Sequence, residues 1–254
     1  MGFERSTKSE IGRKIRMEKK KKKCCAIVLA AGVGKRMNSK IPKQFMELGG
    51  KPVLYYALKT FQESFVEEII LVTGTAEQEF CKKEIVQKYQ FGKVKAVVAG
   101  GKERYHSVYE GLKAINNAQY VFIHDGARPF VKLEMLERAY LEVEKTNACV
   151  IGVKAKDTVK IADGEGFVQN TPDRSRVWQV QTPQVFEFHA IKKAHELIME
   201  REDITITDDA MVYETVYGKP VKLVEGSYEN IKITTPEDMQ IANVFLQKRM
   251  NSCN

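Results

Sequence analysis

A short loop after the first apolar run carries glycines and cations at a spacing suited to phosphate binding. The segment Ala30–Lys43 reads AAGVGKRMNSKIPK and follows the continuous apolar run Cys24–Ala30. Glycines directly after a buried strand let backbone N–H groups approach phosphate oxygens. Four cations lie so close together here that an anion must screen their repulsion: Lys35, Arg36, Lys40 and Lys43. The loop therefore predicts a binding site for a nucleoside triphosphate.

The glycine spacing of this loop excludes two common nucleotide-binding motifs. Gly32 and Gly34 form G-x-G without the third glycine of the dinucleotide fingerprint, and no acidic residue lies suitably about 20 positions further on. The G-x-x-x-x-G-K-[ST] phosphate loop is also absent from the chain. A nicotinamide-dependent dehydrogenase is accordingly not favoured.

Further polar segments follow other apolar runs. Gly100–Ser107 reads GGKERYHS, and His124–Pro129 reads HDGARP. An Asp such as Asp125 next to a triphosphate is useful if it binds a cation or the hydroxyls of a ligand, whereas elsewhere it is often a turn residue. Asp208 and Asp209 form a carboxylate pair that either serves a site or caps the following helix.

The net charge of +8 is concentrated at the N-terminus. Residues 1–23 contain ten Lys or Arg and three Glu, which leaves 31 basic and 30 acidic residues in 24–254. This distribution predicts a disordered basic tail over 1–23 and one nearly neutral domain over 24–254. A nearly neutral domain does not indicate a groove for nucleic acid.

Apolar runs and cysteines predict a cytoplasmic protein. No run approaches the roughly 20 apolar residues that span a bilayer, so we expect no membrane association. The five cysteines are odd in number and form no C-x-x-C, as is typical of reduced thiols. The four histidines lack the spacing of a zinc site.

Alternating strand and helix patterns predict an α/β fold with a mostly parallel sheet and crossover helices. The predicted strands are Cys24–Ala30, Glu68–Thr73, Val94–Val98, Tyr120–His124, Cys149–Val153, Val221–Val224 and Asn230–Ile233. The predicted helices are Val53–Phe61, Ala76–Tyr89, Arg104–Ile115, Leu133–Lys145, Glu187–Glu200, Asp208–Tyr217 and a last one that begins at Pro236 after Thr235 as N-cap. Two short alternating runs around Asp163–Gly166 predict a β-hairpin, and residues 155–176 are interpreted as a projecting β-arm.

Several motifs occur together and in order from about Cys24 to Leu246. They are LAAGxGxRM, PKQF, GGxERxxSVxxGL, HDxARP, TPQ, ITDD and EGSxENIKITTPED. This set resembles the 2-C-methyl-D-erythritol 4-phosphate cytidylyltransferases, a family of Rossmann-like nucleotidyltransferases. The resemblance implies transfer of the cytidylyl group of CTP to 2-C-methyl-D-erythritol 4-phosphate with release of pyrophosphate, in the non-mevalonate route to isoprenoids.

The resemblance also implies roles for individual residues. The two catalytic cations would be Arg36 and Lys43. The residues implied in CTP binding are Ala30, Ala31, Gly32, Gly34, Lys35, Gly101, Ser107 and Asp125. The residues implied in binding the polyol phosphate are Asp125, Arg128, Thr158, Arg174, Thr182, Thr207 and Lys232. Asp125 would also face the Mg²⁺ of the nucleotide, and the β-arm would make a homodimer by reaching into a partner subunit.

Two alternatives remain open on the residues alone. A ribitol-5-phosphate cytidylyltransferase would share the loop, the HDxxRP motif and the arm. A nucleotide-binding homologue without activity would belong to another functional class, although the joint presence of Arg36, Lys43, Asp125, Arg174 and Lys232 argues against it. Relatives often carry Asp where this chain has Lys102, so preference for cytosine is an inference from the resemblance.

The cationic role of Lys43 gives the first prediction. If Lys43 stabilises negative charge that builds up at the α-phosphate, Lys43→Ala lowers kcat far more than it raises KM for CTP. Steady-state kinetics with both substrates varied would measure this difference. Unchanged CTP affinity with nearly normal turnover would contradict the role.

Overall fold

The computed structural model describes residues 21–32, 41–201 and 204–251. Within this part of the chain, seven strands form one sheet: β1 Cys24–Ala30, β4 Glu68–Thr73, β5 Val94–Ala99, β6 Tyr120–Asp125, β7 Ala148–Lys154, β10 Trp178–Glu187 and β11 Lys222–Glu225. Their order across the sheet is β11-β7-β10-β6-β1-β4-β5. Two small antiparallel pairs lie outside it: β2 Glu47–Leu48 with β3 Lys51–Pro52, and β8 Ile161–Ala162 with β9 Val168–Asn170.

Helices cover both faces of this sheet, as the alternating pattern predicts. Their bounds are α1 Val53–Glu63, α2 Gln78–Phe80 continuing as a π-helical stretch Cys81–Gln87, α3 Arg104–Lys113, α4 Leu133–Thr146, α5 Phe188–Met199, α6 Asp209–Tyr217 and α7 Pro236–Asn251. One core cluster joins the sheet to α1, α2 and α4, and a second joins it to α3, α5 and α6. The predicted α/β fold with a mostly parallel sheet and crossover helices is therefore confirmed.

Strand β1 lies near the centre of the sheet because its side chains are apolar on both faces. It pairs in parallel with β4 on one side and with β6 on the other. Five of its seven residues, Cys24–Val28, are at most 1% exposed, which is typical of a parallel strand with helices on both faces. The sequence pattern placed β1, β4 and β6 correctly to within one residue.

Strand β10 was not predicted, and it is antiparallel to both of its neighbours, β6 and β7. Its sequence, WQVQTPQVFE, alternates polar and apolar residues and contains Pro183, so it lacks the apolar run that marks the parallel strands. Its pairing with β7 is irregular between Val180 and Gln184. This strand brings the TPQ motif into the middle of the sheet, next to the end of β6.

The strand predicted at Asn230–Ile233 is wrong. This segment contains no strand, although the Ile233 N–H donates to the Ala127 carbonyl at 2.9 Å. The Asn230 side chain donates to the Thr182 carbonyl at 2.9 Å. Contacts with the loop after β6 and with strand β10 thus hold the segment in place where a strand ladder was expected.

The predicted hairpin exists as β8 and β9. Asp163 Oδ1 accepts hydrogen bonds from the N–H groups of Glu165 and Phe167, and Gly166 has φ +92°, so the Asp-Gly signal marks the turn correctly. Nearly all residues of the predicted arm are exposed, including the large apolar side chains of Ile161, Phe167 and Val168.

The described end of the basic segment contacts the domain. Lys23 Nζ lies 2.7 Å from Glu68 Oε1, and the Lys22 backbone N–H donates to the Tyr140 hydroxyl at 3.0 Å. Residues 1–20 of the predicted tail lie outside the described residues. Within the described ranges, no helix is both long enough and apolar enough to cross a bilayer.

Candidate functional site

The carboxyl ends of four parallel strands meet at one edge of the sheet. Leu29 on β1 pairs with Asp125 on β6, and Ala30 pairs with Thr73 on β4. Thr73 in turn pairs with Ala99 on β5. The loops after β1, β5 and β6 therefore open on the same edge, where ligands of open α/β sheets bind.

Two adjoining cavities lie at this edge, with volumes of about 370 and 290 Å³. The larger one, cavity 1, is lined by Leu29, Ala30, Ala31, Gly32, Lys43, Gln44, Gly101, Lys102, Glu103, Arg104, Ser107, Asp125, Ala127 and Lys232. Cavity 2 is lined by Arg104, Asp125, Arg128, Val180, Gln181, Thr182, Gln184, Thr207, Asp208 and Lys232. Three charged residues line both cavities, namely Arg104, Asp125 and Lys232, and we refer to them as the shared wall.

The shared wall is a chain of ion pairs. Lys232 Nζ lies 2.7 Å from Asp125 Oδ2, and Arg104 Nε donates to Asp125 Oδ1 at 3.2 Å. Arg104 Nη1 donates to Asp209 Oδ2 at 2.8 Å, behind the wall. Charges of alternating sign thus run from Lys232 into the interior, so each buried charge has an opposite neighbour.

These contacts fix the ionisation of the wall. Burial would raise the pKa of Asp125, but the charges of Arg104, Lys232 and Arg128 lower it well below its ordinary value. Burial would lower the pKa of Arg104, but Asp209 and Asp125 raise it above its ordinary value. Asp125 is therefore a carboxylate and Arg104 a cation at neutral pH.

A second hydrogen-bond chain fixes the backbone at Asp125. The Asp125 N–H donates to Thr182 Oγ1 at 3.0 Å, and Thr182 Oγ1 lies 3.1 Å from His124 Nδ1. His124 Nε2 lies 3.1 Å from the Arg128 carbonyl. Neutral His124 satisfies all of these contacts if Nε2–H donates to the carbonyl and Nδ1 accepts the hydroxyl proton. Burial, the largest effect, lowers the pKa of His124 to about 4, which agrees with this neutral form.

The glycine loop after β5 lines cavity 1. The Gly101 N–H donates to Ser107 Oγ at 3.1 Å, which joins the loop to the first turns of α3. A Cβ atom at Gly100 would lie 2.6 Å from both Ala31 Cβ and Ser107 Oγ. Glycine at this position therefore allows the β1 and β5 loops to approach each other.

Gln44 supports the described beginning of the phosphate loop. Its side-chain amide is buried and donates to the carbonyls of Ala30 and Gly32. Gln44 directly follows Lys43, which lines cavity 1. Sequence reasoning did not assign Gln44 a role, although a glutamine beside a predicted catalytic lysine in PKQF is the available signal.

The segment that carries Lys232 is held from both sides. Arg128 Nη1 donates to the Asn230 carbonyl at 2.8 Å, and Asn230 Nδ2 also lies 3.2 Å from Gln181 Oε1. Lys232, which was predicted on a strand, therefore extends from an irregular segment. Burial lowers the pKa of Arg128, and Asp125 opposes this effect. Asn230 and Gln181 are buried positioning residues that sequence reasoning missed.

Most of the described residues predicted for the site come together here. Cavity 1 contains Ala30, Ala31, Gly32, Lys43, Gly101, Ser107, Asp125 and Lys232, and cavity 2 contains Asp125, Arg128, Thr182, Thr207 and Lys232. Thr158 and Arg174 line neither cavity; both are exposed, and Arg174 Nη1 donates to the Lys156 carbonyl at 3.0 Å. Gly34, Lys35 and Arg36 lie outside the described residues.

The two adjacent carboxylates of ITDD have different functions. Asp208 Oδ1 accepts the Met211 N–H at 2.9 Å and caps α6, which confirms the capping interpretation for Asp208. Asp209 is fully buried and pairs with Arg104. Sequence reasoning could not separate these functions, because the partner of Asp209 is 105 positions away.

The carboxylate oxygens at the site fit a magnesium ion that is bound mainly by the phosphates of a ligand. The described residues contain no cluster of three or more His, Cys, Asp or Glu that could hold a metal. Mg²⁺ at nucleotide sites often takes one or two carboxylates and several phosphate oxygens. Asp125 lies between the cavities, and its carboxylate retains lone pairs beyond its two ion-pair contacts.

Comparison with known proteins gives one consistent family. A family model described as 2-C-methyl-D-erythritol 4-phosphate cytidylyltransferase matches residues 24–248. The protein of that name from Lachnoclostridium phytofermentans is 48% identical over 229 residues, covering 90% of this chain and 98% of the relative. The one from Clostridium acetobutylicum is 48% identical over 225 residues, covering 88% and 97%.

Solved structures agree with the sequence relatives. The 4-diphosphocytidyl-2C-methyl-D-erythritol synthase of Anaerococcus prevotii has a TM-score of 0.79 at 37% identity, covering 89% of this chain and 96% of that one. The 2-C-methyl-D-erythritol 4-phosphate cytidylyltransferase of Thermus thermophilus has a TM-score of 0.71 at 28% identity, covering 89% and 99%.

The buried neutral His124 predicts a loss of stability in mild acid. The unfolded chain takes up a proton near the ordinary pKa of 6.5, whereas folded His124 stays neutral until about pH 4. The free energy of unfolding should therefore fall by about 2 kcal/mol between pH 7 and pH 5 through this group alone. Urea titrations should show a smaller fall for His124→Gln. The exposed His189→Gln is the control, and equal falls in all three proteins would contradict the assignment.

Proposed function

This chain belongs to the 2-C-methyl-D-erythritol 4-phosphate cytidylyltransferase family, and we propose that its two cavities bind the two reactants of cytidylyl transfer. The enzyme transfers the cytidylyl group of CTP to 2-C-methyl-D-erythritol 4-phosphate and releases pyrophosphate, a step of isoprenoid precursor biosynthesis. The observation that carries the site assignment is the shared wall of Arg104, Asp125 and Lys232 between the cavities. A bond between two ligands must form where their cavities meet.

CTP occupies cavity 1 in this proposal. The glycine loop at Gly101 and Ser107 supplies the backbone groups and hydroxyl near the base. The described start of the phosphate loop, Ala30–Gly32, and Lys43 face the triphosphate. Their common position in one cavity supports this arrangement, and Gly34, Lys35 and Arg36 would extend the same loop around the phosphates.

The polyol phosphate occupies cavity 2. Arg128, Thr182, Thr207 and Lys232 line this cavity and offer donors for a phosphate or hydroxyl groups. Asp125 accepts hydrogen bonds from polyol hydroxyls and so orients the acceptor. A cavity with both donors and a fixed carboxylate suits a ligand that carries hydroxyls and an anion.

The reaction needs positive charge more than it needs a base. The attacking phosphate monoester has a second pKa of about 6 and is largely dianionic at neutral pH. Its oxygen attacks the α-phosphorus of CTP, and the bond to pyrophosphate breaks. Lys43, Arg104 and Lys232 are cations that line cavity 1, and the last two also line cavity 2. Arg36 is proposed to add another.

A magnesium ion, when bound with CTP, supplies further charge neutralisation. We propose that Asp125 is the protein carboxylate nearest to it, because Asp125 lies on the wall that both cavities share. The phosphates would provide most of its other ligands.

We also propose a homodimer in which the arm completes the neighbouring site. Thr158 and Arg174 are exposed and line neither cavity of their own chain. The hairpin exposes Ile161, Phe167 and Val168, with 50%, 67% and 57% of each residue accessible. Exposed apolar side chains on a projecting hairpin support burial against a second copy. We assign the enzyme to the cytoplasm because the four cysteines in the described part of the chain are buried free thiols.

Pyrophosphate release tests the function. CTP with 2-C-methyl-D-erythritol 4-phosphate and Mg²⁺ should release pyrophosphate, whereas CTP alone should not. Ribitol 5-phosphate is the matched alternative acceptor, and a higher kcat/KM with it would overturn the substrate assignment. Absence of release with every polyol and sugar phosphate would leave only nucleotide binding.

Mixing two variants tests the shared site. Lys232→Ala and Arg174→Ala should each be nearly inactive, because each removes a cation from every site. After subunit exchange, one site in each mixed dimer has both residues intact, so the mixture should recover about a quarter of wild-type activity. Mixing each variant with itself is the control. No recovery despite proven exchange would show that Arg174 does not serve the partner's site.

A further inference from the structure

Asp209 is a buried carboxylate that touches the site only through another residue. Its side chain is fully buried at the first position of α6, and it lines neither cavity. Its Oδ2 nevertheless accepts a hydrogen bond from Arg104 Nη1 at 2.8 Å. This distance is shorter than the 3.2 Å from Arg104 Nε to Asp125 Oδ1. The carboxylate behind the wall therefore holds Arg104 at least as closely as the one in the wall.

The position of Asp209 is itself fixed by several contacts. Gln184 Oε1 accepts the N–H groups of Asp209 and Ala210 at 2.9 and 3.0 Å, so the start of α6 is attached to β10. His195 Nε2 on α5 lies 3.4 Å from Asp209 Oδ1, and both side chains are fully buried. The carboxylate thus stands at a point where β10, α5 and α6 meet.

A guanidinium group has five donors in one plane, so two acceptors at different edges define its orientation. Arg104 donates to Asp125 from Nε and to Asp209 from Nη1, while its Nη2 is buried without a partner among the described residues. Asp209 therefore leaves Asp125 with a single contact from Arg104. The other Asp125 oxygen faces Lys232.

We propose that Asp209 is a positioning residue for cytidylyl transfer, because it holds Arg104 between two carboxylates and so keeps Asp125 oriented toward both cavities. This inference rests on the proposed function of the two cavities. Without the charge of Asp209, Asp125 is the remaining carboxylate partner of Arg104 among the described residues, and the guanidinium turns toward it. Asp125 is then occupied by Arg104 and no longer aligned with the hydroxyls of the acceptor.

Asp209→Asn tests the proposal, because it keeps the shape of the side chain and removes its charge. It should lower kcat/KM for 2-C-methyl-D-erythritol 4-phosphate about 10- to 100-fold, as is usual when a supporting partner of a site residue is lost. CTP binding measured without acceptor should change less than about threefold, since other groups of cavity 1 hold the nucleotide. Asp209→Glu keeps the charge and should be more active than Asp209→Asn, although its shape differs more.

A double-mutant cycle separates positioning from support of the fold. In an Arg104→Met background, Asp209→Asn should cause less than about a twofold further loss of kcat/KM, because the residue through which it acts is already absent. Val212→Ala is the matched control, since Val212 is a fully buried residue of α6 without a contact in the ion chain. It should lower the melting temperature and leave kcat/KM unchanged at temperatures where the protein is folded.

The outcomes of these experiments separate the positioning role of Asp209 from the proposed function of the two cavities. An equal loss from Asp209→Asn in both backgrounds, or Asp209→Glu no better than Asp209→Asn, overturns the positioning role while the function stands. A wild-type enzyme that releases no pyrophosphate with any polyol phosphate overturns the function, and the positioning role with it. Coupled losses together with rescue by Asp209→Glu support both.

Discussion

The site depends on keeping charged side chains in place where two anionic ligands must meet. A buried ion is stable only if opposite charge and hydrogen bonds replace its water. Asp125, which is 7% exposed, meets this condition through Arg104 on one side and Lys232 on the other. The three residues come from β6, α3 and the segment before α7, so the ion chain determines how these elements fit together.

The antiparallel strand β10 supplies the contacts that the ion chain cannot. Thr182 accepts the Asp125 N–H, and Gln184 accepts two N–H groups at the start of α6. Without β10, the N–H groups of Asp125, Asp209 and Ala210 would lose these partners. Leaving a buried backbone N–H without a partner costs about 1–3 kcal/mol. β10 therefore connects the backbone at the wall to the helix that carries Asp209.

The sequence predicted those parts of the fold that local patterns determine. Continuous apolar runs identified β1, β4 and β6, and the Asp163–Gly166 turn identified the arm hairpin. Two features escaped because they depend on distant contacts. β10 alternates glutamines with apolar residues and contains Pro183, and it is a strand because β6 and β7 lie on either side of it. Asn230–Ile233 has the composition of a strand, but its partners are Ala127 in the loop after β6 and Thr182 on β10.

The same difference between local sequence patterns and distant contacts applies to the residues of the site. The family resemblance identified Lys43, Asp125, Arg128 and Lys232, because the motifs that contain them are visible in the sequence. The role of Arg104 is not visible there, since the pairs it makes with Asp125 and Asp209 span 21 and 105 positions. These two ion pairs hold the charged side chains of the shared wall in place. Cations that already have fixed carboxylate partners need little reorganisation when charge shifts from the attacking oxygen to pyrophosphate. A site of unpaired lysines would instead have to order its side chains in every turnover, and the buried acids prevent that.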